Sequence, residues 1–533
     1  MNFTEWLIFF LVLQLVHFAG TWKLYQRAGR KPWEAAVPIY NAIVLTQIMK
    51  RPKWWVILLF FPIVNQLMFP VFWIETARSF GFNQRKDTIL VVLTLGFYLF
   101  YINYATETPY KKDRSLKPRT SLGEWVSAIA FAIIAATMVH TYFMQPYVIP
   151  SSSLEKTLLT GDYLFVSKFH YGARAPMTTV AVPMIHDTIP LTKQKSYLFD
   201  DNYAERETSL WNKLQFPYMR VPGFQKIKRN EIVVFNQPPD TLRNMNDWGD
   251  QNPRTPDRNY YKPIDKKLNL VKRCVAIPGD SLEIKAGYIY INGERTILPN
   301  RAKPQYNFIV DTEGQTLDVK GNMLRSYGVR EAWVEYGKYV FTMTKEEAKK
   351  LEKHSKVKSV VKKLKSKGEI EINIFPHVPE LKWNIDNFGP IYIPKKGATV
   401  KLDENSIPFY KRIISEYEGN QLDIIGDNYF INGEKTDSYT FKQDYYWMMG
   451  DNRHNSLDAR MWGYVPFDHV VGKPVFIWFS KDDKTGAIRW DRVFTTVSGD
   501  GEPVSYLRYF LIVLGLYLLY SFFLKGKLKK SKK

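Results

Sequence analysis

Ile149-Pro150-Ser151-Ser152-Ser153-Leu154-Glu155-Lys156-Thr157-Leu158-Leu159-Thr160-Gly161-Asp162 lies between a long apolar run and a strand-like run, Tyr163 to Lys168. Three consecutive hydroxyl side chains follow a proline of fixed φ, which sets short nucleophile-capable groups on stiff backbone. Taken alone, the composition is also that of a solvated serine-rich linker, because Ser and Gly are ordinary turn residues. The flanking segments decide between these readings.

Upstream, apolar runs cover roughly Phe3–Thr21, Trp54–Ile74, Thr88–Tyr104 and Trp125–Met144, and a last one covers Tyr506–Leu524. A bilayer-spanning helix needs about 20 such residues. The start Met1-Asn-Phe-Thr-Glu5 lacks the basic region of a cleaved signal peptide and reads as an anchor. Lysine and arginine concentrate between the first two runs (Lys23, Arg27, Arg30, Lys31, Lys50, Arg51, Lys53), between the third and fourth (Lys111, Lys112, Arg114, Lys117, Arg119), and in the tail 525–533. Cationic loops stay in the cytoplasm, so the N-terminus and the segment Gln145–Ser505 face away from it. The weak point is Glu75–Asp87, placed outside although it carries Arg78, Arg85 and Lys86. Trp33–Met49, interrupted by Pro38 and Asn41, reads as an interfacial helix, or alternatively a partial span.

A chain of 533 residues exceeds one simple core. Its single cysteine, Cys274, excludes an internal disulfide framework. The net charge of +22 suits either nucleic acid or an anionic membrane surface. Much of the excess lies beside the apolar runs, which favours the membrane.

Downstream, runs rich in β-branched and aromatic residues recur at Tyr163–Phe169, Glu231–Phe235, Leu270–Ile277, Ser281–Ile284, Tyr288–Ile291, Tyr429–Ile431, Tyr446–Met449 and Lys473–Phe479. They predict a mainly β domain. Ser281–Thr296 aligns without gaps to Gln421–Thr436, each carrying an Asn-Gly hairpin signal, at Asn292-Gly293 and Asn432-Gly433. Duplication and convergence on one turn chemistry both explain this. A capping box at Thr344-Lys-Glu-Glu347 opens a predicted helix, followed by a lysine-rich stretch to about Lys367 read as a solvated helix face. No aromatic residues interleave there to stack on bases, which argues against nucleic acid.

The expected organisation is 1–124, a membrane region with about three transmembrane helices and cytoplasmic loops; 125–144, a transmembrane helix; 145–296 and 421–482, two parts of a β domain; 297–420, an inserted α+β module; 483–505, a connector; 506–524, a C-terminal transmembrane helix; and 525–533, a basic cytoplasmic tail.

Among nucleophile and base candidates, the suggestive histidine cluster is His454-Asn-Ser456-Leu-Asp458, whose alternate residues would share one face of a strand, with a loop as the alternative. A lysine replaces histidine as base only if burial brings it down from about 10.4. Lys272 lies in Asn269-Leu-Val-Lys-Arg-Cys-Val-Ala-Ile-Pro-Gly-Asp280, a strand-like apolar run. Period-2 alternation puts Lys272 and Cys274 on one face and Arg273 on the other. The alternative is a strand-edge lysine reaching solvent; Cys274 reads as a small core residue packed near that lysine.

These stretches, in this order behind a membrane run, resemble bacterial type I signal peptidase, a Ser/Lys membrane-bound serine peptidase family. The matching residues are Pro150-Ser151-Ser152-Ser153 with Thr157-Leu158-Leu159-Thr160-Gly161-Asp162, Lys272-Arg273 with Pro278-Gly279-Asp280, and Gly450-Asp451-Asn452-Arg453-His454-Asn455-Ser456-Leu457-Asp458-Ala459-Arg460. The resemblance implies Ser153 as nucleophile, Lys272 as general base and Ser151 as a donor to the oxyanion beside the Ser153 N–H. It implies that Ser456 and Asp458 orient or tune the lysine, and that Asp451, Arg273 and Arg460 are scaffold ion-pair partners. Ser152 receives no role. Leu154, Lys156 and His454 depart from the family's usual Met, Pro and Asp; Lys156 is expected to be exposed, or, if it faced the site, to depress Lys272 further.

The implied function is an inner-membrane endopeptidase that removes signal peptides from exported preproteins on the periplasmic side, with no metal, no cofactor and no nucleic acid. Membrane lipid and the export machinery are the further expected partners. The rival expectations are a peptidase specialised for a few substrates, such as a pilus or conjugation factor, and an inactive envelope protein that binds exported chains.

Overall fold

The computed structural model describes residues 2–118, 120–202, 205–239, 262–318, 322–499 and 501–524. Arg119 and the basic tail 525–533 lie outside the described residues. The chain divides into two units, one of Met1–Met144, Ala173–Val221 and Tyr261–Lys266, the other of Gln145–Gly172, Pro222–Tyr260 and Lys267–Lys533.

Among the described residues of the first unit, two helices are long and apolar enough to cross a membrane, Phe3–Arg27 and Ser121–Phe143. The first opens on a capping box in which the Asn2 side chain and Glu5 satisfy each other's backbone N–H groups. The other two runs expected to span in this unit are broken. Trp54–Ile74 divides into Trp55–Leu58 and Val64–Ser79, with Ile63 at φ +69 between them. Thr88–Tyr104 divides into Arg85–Leu93 and Tyr98–Tyr104, bent by 116°, where Leu95 and Gly96 take φ +50 and +86. A right-handed helix cannot continue through left-handed residues. Trp33–Met49 is likewise a short 3₁₀ turn, Pro32–Ala35, and a helix, Tyr40–Ile48. The C-terminal run forms a shorter apolar helix, Leu507–Phe522.

These breaks change how the loops group. Glu75, expected on the opposite side from Arg51 and Arg114, is ion-paired to both, at 2.8 and 2.7 Å. The Ser79 carbonyl accepts from the Lys111 N–H at 2.9 Å, and Lys50 pairs with Asp113 at 3.7 Å. The cationic segments 50–51, 75–79 and 111–114 therefore meet, so Glu75–Ser79 lies beside the two loops from which the expected topology separates it. The break itself meets a different part of the chain, since Ile63 packs with Ala181, Tyr197 and Phe199. Trp6, near the start of the first helix, packs on Phe216 with ring centroids 4.6 Å apart and tilted by 34°, and donates to the Gln215 carbonyl.

The second unit is built on an eight-stranded sheet. Its strands are β1 (Met144–Val148), β2 (Asp162–Ser167), β3 (Ile232–Asn236), β4 (Asn269–Ala276), β5 (Tyr445–Met449), β6 (Val465–Pro466) and β7 (Val470–Ser480), in the order β1-β2-β7-β3-β4-β5-β6, with Thr495–Thr496 added to β7. Register follows the alternation of side chains. On β4, Leu270 and Cys274 face the large core that holds Val233, Phe235 and Trp447. Val271 faces a smaller one with Ile232, Val234 and Leu154. Lys272 stands opposite Val233, and Arg273 opposite Ile232.

The two similar sequence stretches form the same three-stranded meander. One comprises Ser281–Lys285, Tyr288–Ile291 and Glu294–Arg295; the other comprises Leu422–Ile425, Asn428–Ile431 and Glu434–Thr436. Asn292 and Asn432 take φ +53 and +54, and their side chains accept from the Ser281 and Gln421 N–H groups, each at 2.9 Å. The short amide side chain is what tolerates the left-handed turn.

Of residues 297–420, a four-stranded sheet (Gln305–Asp311, Glu331–Glu335, Lys338–Thr344, Ser359–Lys362) builds its own core from Tyr306, Phe308, Val310, Phe341, Met343 and Leu351. Phe388–Tyr392 instead pairs with Ser281–Lys285, and Phe375, Ile407 and Ile414 pack into the main core. Thr344 and Glu347 form the expected capping box, but the helix ends at Leu351. The lysine-rich stretch then becomes the strand Ser359–Lys362 rather than a helix face, since β-branched Val360 and Val361 pair with Val310 and Ile309.

Candidate active site

Ser153 sits in a one-turn 3₁₀ helix, Ser152–Leu154, packed against β4. Leu154 and Leu158 are buried with Ile149, Leu164 and Val234. They pin the loop from below, and burying each is worth roughly 1.5–3 kcal/mol. Its end is tied by Asp162, whose carboxylate accepts from the Leu159 N–H at 2.8 Å. Gly161 is held at φ +86, where an added Cβ would overlap the Lys481 carbonyl. The Ser151 and Ser153 hydroxyl oxygens are 3.5 Å apart.

The Gly450–Arg460 segment is turn and loop with a short helix, Ala459–Trp462, beginning in it, so His454, Ser456 and Asp458 do not line the face of a strand. It wraps the serine loop. The Asn452 N–H donates to the Ser153 carbonyl at 3.0 Å, and its side chain donates to the Ser152 carbonyl at 3.3 Å. Gly450 lies between Ser153 and Ser456; a Cβ there would fall 2.6 Å from the Ser153 carbonyl oxygen and against the Ser456 hydroxyl. The Ser456 hydroxyl is buried and makes no hydrogen bond among the described residues.

Lys272 is 4% exposed. Burial brings its amine down to about 8; the Asp458 carboxylate opposes this, Arg460 adds to it, and Asp451 opposes it. Each carboxylate is tied to its own arginine. Arg460 grips Asp458 through two bonds of 2.9 Å, and the Gly450 N–H adds a third at 3.0 Å. Arg273 grips Asp451 at 2.8 and 2.6 Å. Burial pushes both carboxyls up, yet the arginines and hydrogen bonds outweigh it, and both stay below the usual range. A buried lysine therefore faces two carboxylates whose charge is already matched by guanidinium groups, which leaves its own proton weakly held.

His454 is not available as a base. Its Nε2 is 2.8 Å from Asp386, and its Nδ1 accepts from the Asn307 N–H at 2.9 Å, so both ring nitrogens are engaged. Lys156 is neither exposed nor directed at Lys272. It is ion-paired with Glu347 at 2.9 Å and donates to the Gly328 carbonyl. Cys274 is fully buried in the main core. Among the described residues, no group of three His, Cys, Asp or Glu side chains gathers in metal-binding geometry.

Sequence reasoning assigned no role to three groups that hold the site. Thr157 donates to Asp451 at 2.6 Å, so it links the serine loop to the Arg273 pair. Asn452 fixes the peptide of Ser153, and Gly450 leaves room for its carbonyl. All three stand inside the quoted motifs, but a backbone-directed role leaves no mark in residue spacing.

Comparison with known proteins gives two family matches. Residues 122–364 and 393–479, more than half of the chain, match the family described as signal peptidase, peptidase S26. Residues 33–113, the region of broken helices, match a family of unknown function, DUF5684. Among similar curated proteins, the signal peptidase I of Buchnera aphidicola (subsp. Baizongia pistaciae) is 23% identical over 68% of this chain and 79% of its own length. That of Helicobacter pylori is 23% identical over 70% of this chain and 91% of its own. That of Rickettsia rickettsii is 22% identical over 68% and 81%.

Proposed function

Because the chain belongs to the signal peptidase S26 family of serine endopeptidases, we propose that it removes signal peptides from exported preproteins by a Ser153/Lys272 dyad. The observation that carries the dyad is the burial of Lys272 on β4, which lowers its amine to about 8. Neutral Lys272 takes the Ser153 hydroxyl proton as Oγ attacks the scissile carbonyl carbon. The Ser151 O–H and the Ser153 N–H stabilise the oxyanion. The Lys272 ammonium then gives its proton to the leaving amine, and the signal peptide remains as an ester on Ser153. A water molecule, deprotonated by Lys272, attacks the ester carbonyl, and the proton returns to Oγ as Ser153 leaves. Among the described residues the Ser153 hydroxyl lies 3.5 Å from that of Ser151.

We assign Asp458 and Ser456 to tuning and orienting the lysine, and the Arg273–Asp451 and Arg460–Asp458 pairs to the scaffold. The membrane arrangement we favour has Phe3–Arg27 and Ser121–Phe143 crossing, with the two broken runs entering and leaving on the cationic side. Grouping of Arg51, Arg78, Arg114 and Lys111 around Glu75 and Ser79 supports this, as does the packing of Trp6 on Phe216. The segment with Ser153 then lies on the side away from the cytoplasm. Preprotein signal peptides and membrane lipid are the proposed partners.

The test is a pH profile of kcat/KM on a preprotein. A base must be neutral to accept a proton, and Lys272 is neutral only above its own value, so activity should fall as pH drops through about 8. Rate independence between pH 6 and 9 would sink the lysine base.

A further inference from the structure

We propose that the inserted four-stranded module holds the two loops of the active site in register, with Glu331 and Arg330 as positioning residues. The inference rests on the assignment of Ser153 as nucleophile.

The module's first strand, Gln305–Asp311, meets the backbone of the Gly450–Arg460 segment at Gln305, which bridges to Asn452. The Gln305 N–H donates to the Asp451 carbonyl at 2.8 Å, and the Arg453 N–H donates to the Gln305 carbonyl at 2.9 Å. Its strand Glu331–Glu335 begins at the same place. The Glu331 carboxylate accepts from the Asn455 side chain at 2.9 Å and from the Asn452 side chain at 3.3 Å. Asn452 is the residue that holds the Ser152 and Ser153 carbonyls. One carboxylate therefore fixes an amide that fixes the nucleophile's own peptide unit.

The neighbouring residue holds the other side of the serine loop. Arg330 pairs with Glu155 at 3.1 Å and with Asp482, which follows β7. Glu155 is only 2% exposed, so an uncompensated charge there would be costly. The next residue, Lys156, stands at φ +72, a conformation that a lysine adopts only where its surroundings impose it. Those surroundings belong to the module, through Glu347 and the Gly328 carbonyl. Glu331 and Arg330, adjacent on one chain segment, thus reach the two loops separately, which fixes the distance between Ser153 and the groups around Ser456.

The test uses the full-length chain in detergent micelles and a purified preprotein. Glu331→Ala should lower kcat by about tenfold to a hundredfold, the scale set by small misplacements of a catalytic group, with KM within about twofold. Glu331→Gln, which keeps an acceptor for the two amides, should restore kcat to within about threefold of the unaltered chain. An Ala variant with unaltered kcat, a loss confined to KM, or a Gln variant as impaired as the Ala variant would each overturn the proposal. If Glu331→Ala does not fold, Arg330→Lys against Arg330→Ala decides on the same criteria. Ser153→Ala in the same assay separates the two readings. Cleavage by that variant removes the nucleophile assignment, whereas an inactive Ser153→Ala beside an unimpaired Glu331→Ala removes only the positioning role.

Discussion

Replacing Lys272 with Ala is expected to lower kcat by about 10⁴-fold or more, the scale seen when one member of a nucleophile–base unit is removed. The side chain is buried opposite Val233 on β4, and Ala fits that strand, so the fold should survive the change. The proposed role as base rests on burial: at about 8 its amine is neutral in an appreciable fraction of molecules near neutrality, whereas an exposed lysine would be almost fully protonated. His454→Ala supplies the control. It breaks the pair with Asp386 and should reduce stability while leaving kcat within about tenfold. Steady-state cleavage by the two variants checks both, and an inactive His454→Ala beside an active Lys272→Ala would transfer the base to histidine.

Arg273→Met is expected to destabilise the second unit by about 3–5 kcal/mol, because it strands the fully buried Asp451 carboxylate without its guanidinium partner. Thr157 would remain as a hydrogen-bond donor to Asp451, too little to match a buried charge. Replacing both partners together, Arg273→Met with Asp451→Leu, should cost less than Arg273→Met alone, since no unpaired charge is left. Thermal or denaturant unfolding of the three chains in detergent measures this. A single variant as stable as the unaltered chain would show that the pair contributes little.

Much of the β scaffold was legible because its signals are local. All eight β-rich runs form strands, and the Asn-Gly turns at 292 and 432 lie where their chemistry requires. The alternation on β4 also placed Lys272 and Cys274 toward the same core. The membrane region was read less well, because hydropathy counts apolar residues and does not register a backbone break. Pro62 and Gly96 are local signals for those breaks, since neither favours a continuing helix, but the left-handed Ile63 and Leu95 leave no mark in hydropathy. Burial of Glu75 against Arg51 and Arg114 is a long-range event with no local signature. The α+β character of the inserted module is legible but the places of its strands are not, because polar residues and lysines dilute their apolar faces, and Lys362 is accommodated by lying 3.4 Å over the Tyr306 ring. At the site, the residue types were visible in the motifs, whereas the roles of Asn452, Gly450 and Glu331 depend on which backbone atoms the fold brings beside Ser153.

The most direct test is mass spectrometry of a purified preprotein incubated with the full-length protein and, in parallel, with Ser153→Ala. The account predicts that the unaltered protein releases the signal peptide by one cut, and that Ser153→Ala leaves the preprotein intact while unfolding at the same temperature. Cleavage at the same bond by Ser153→Ala would contradict it.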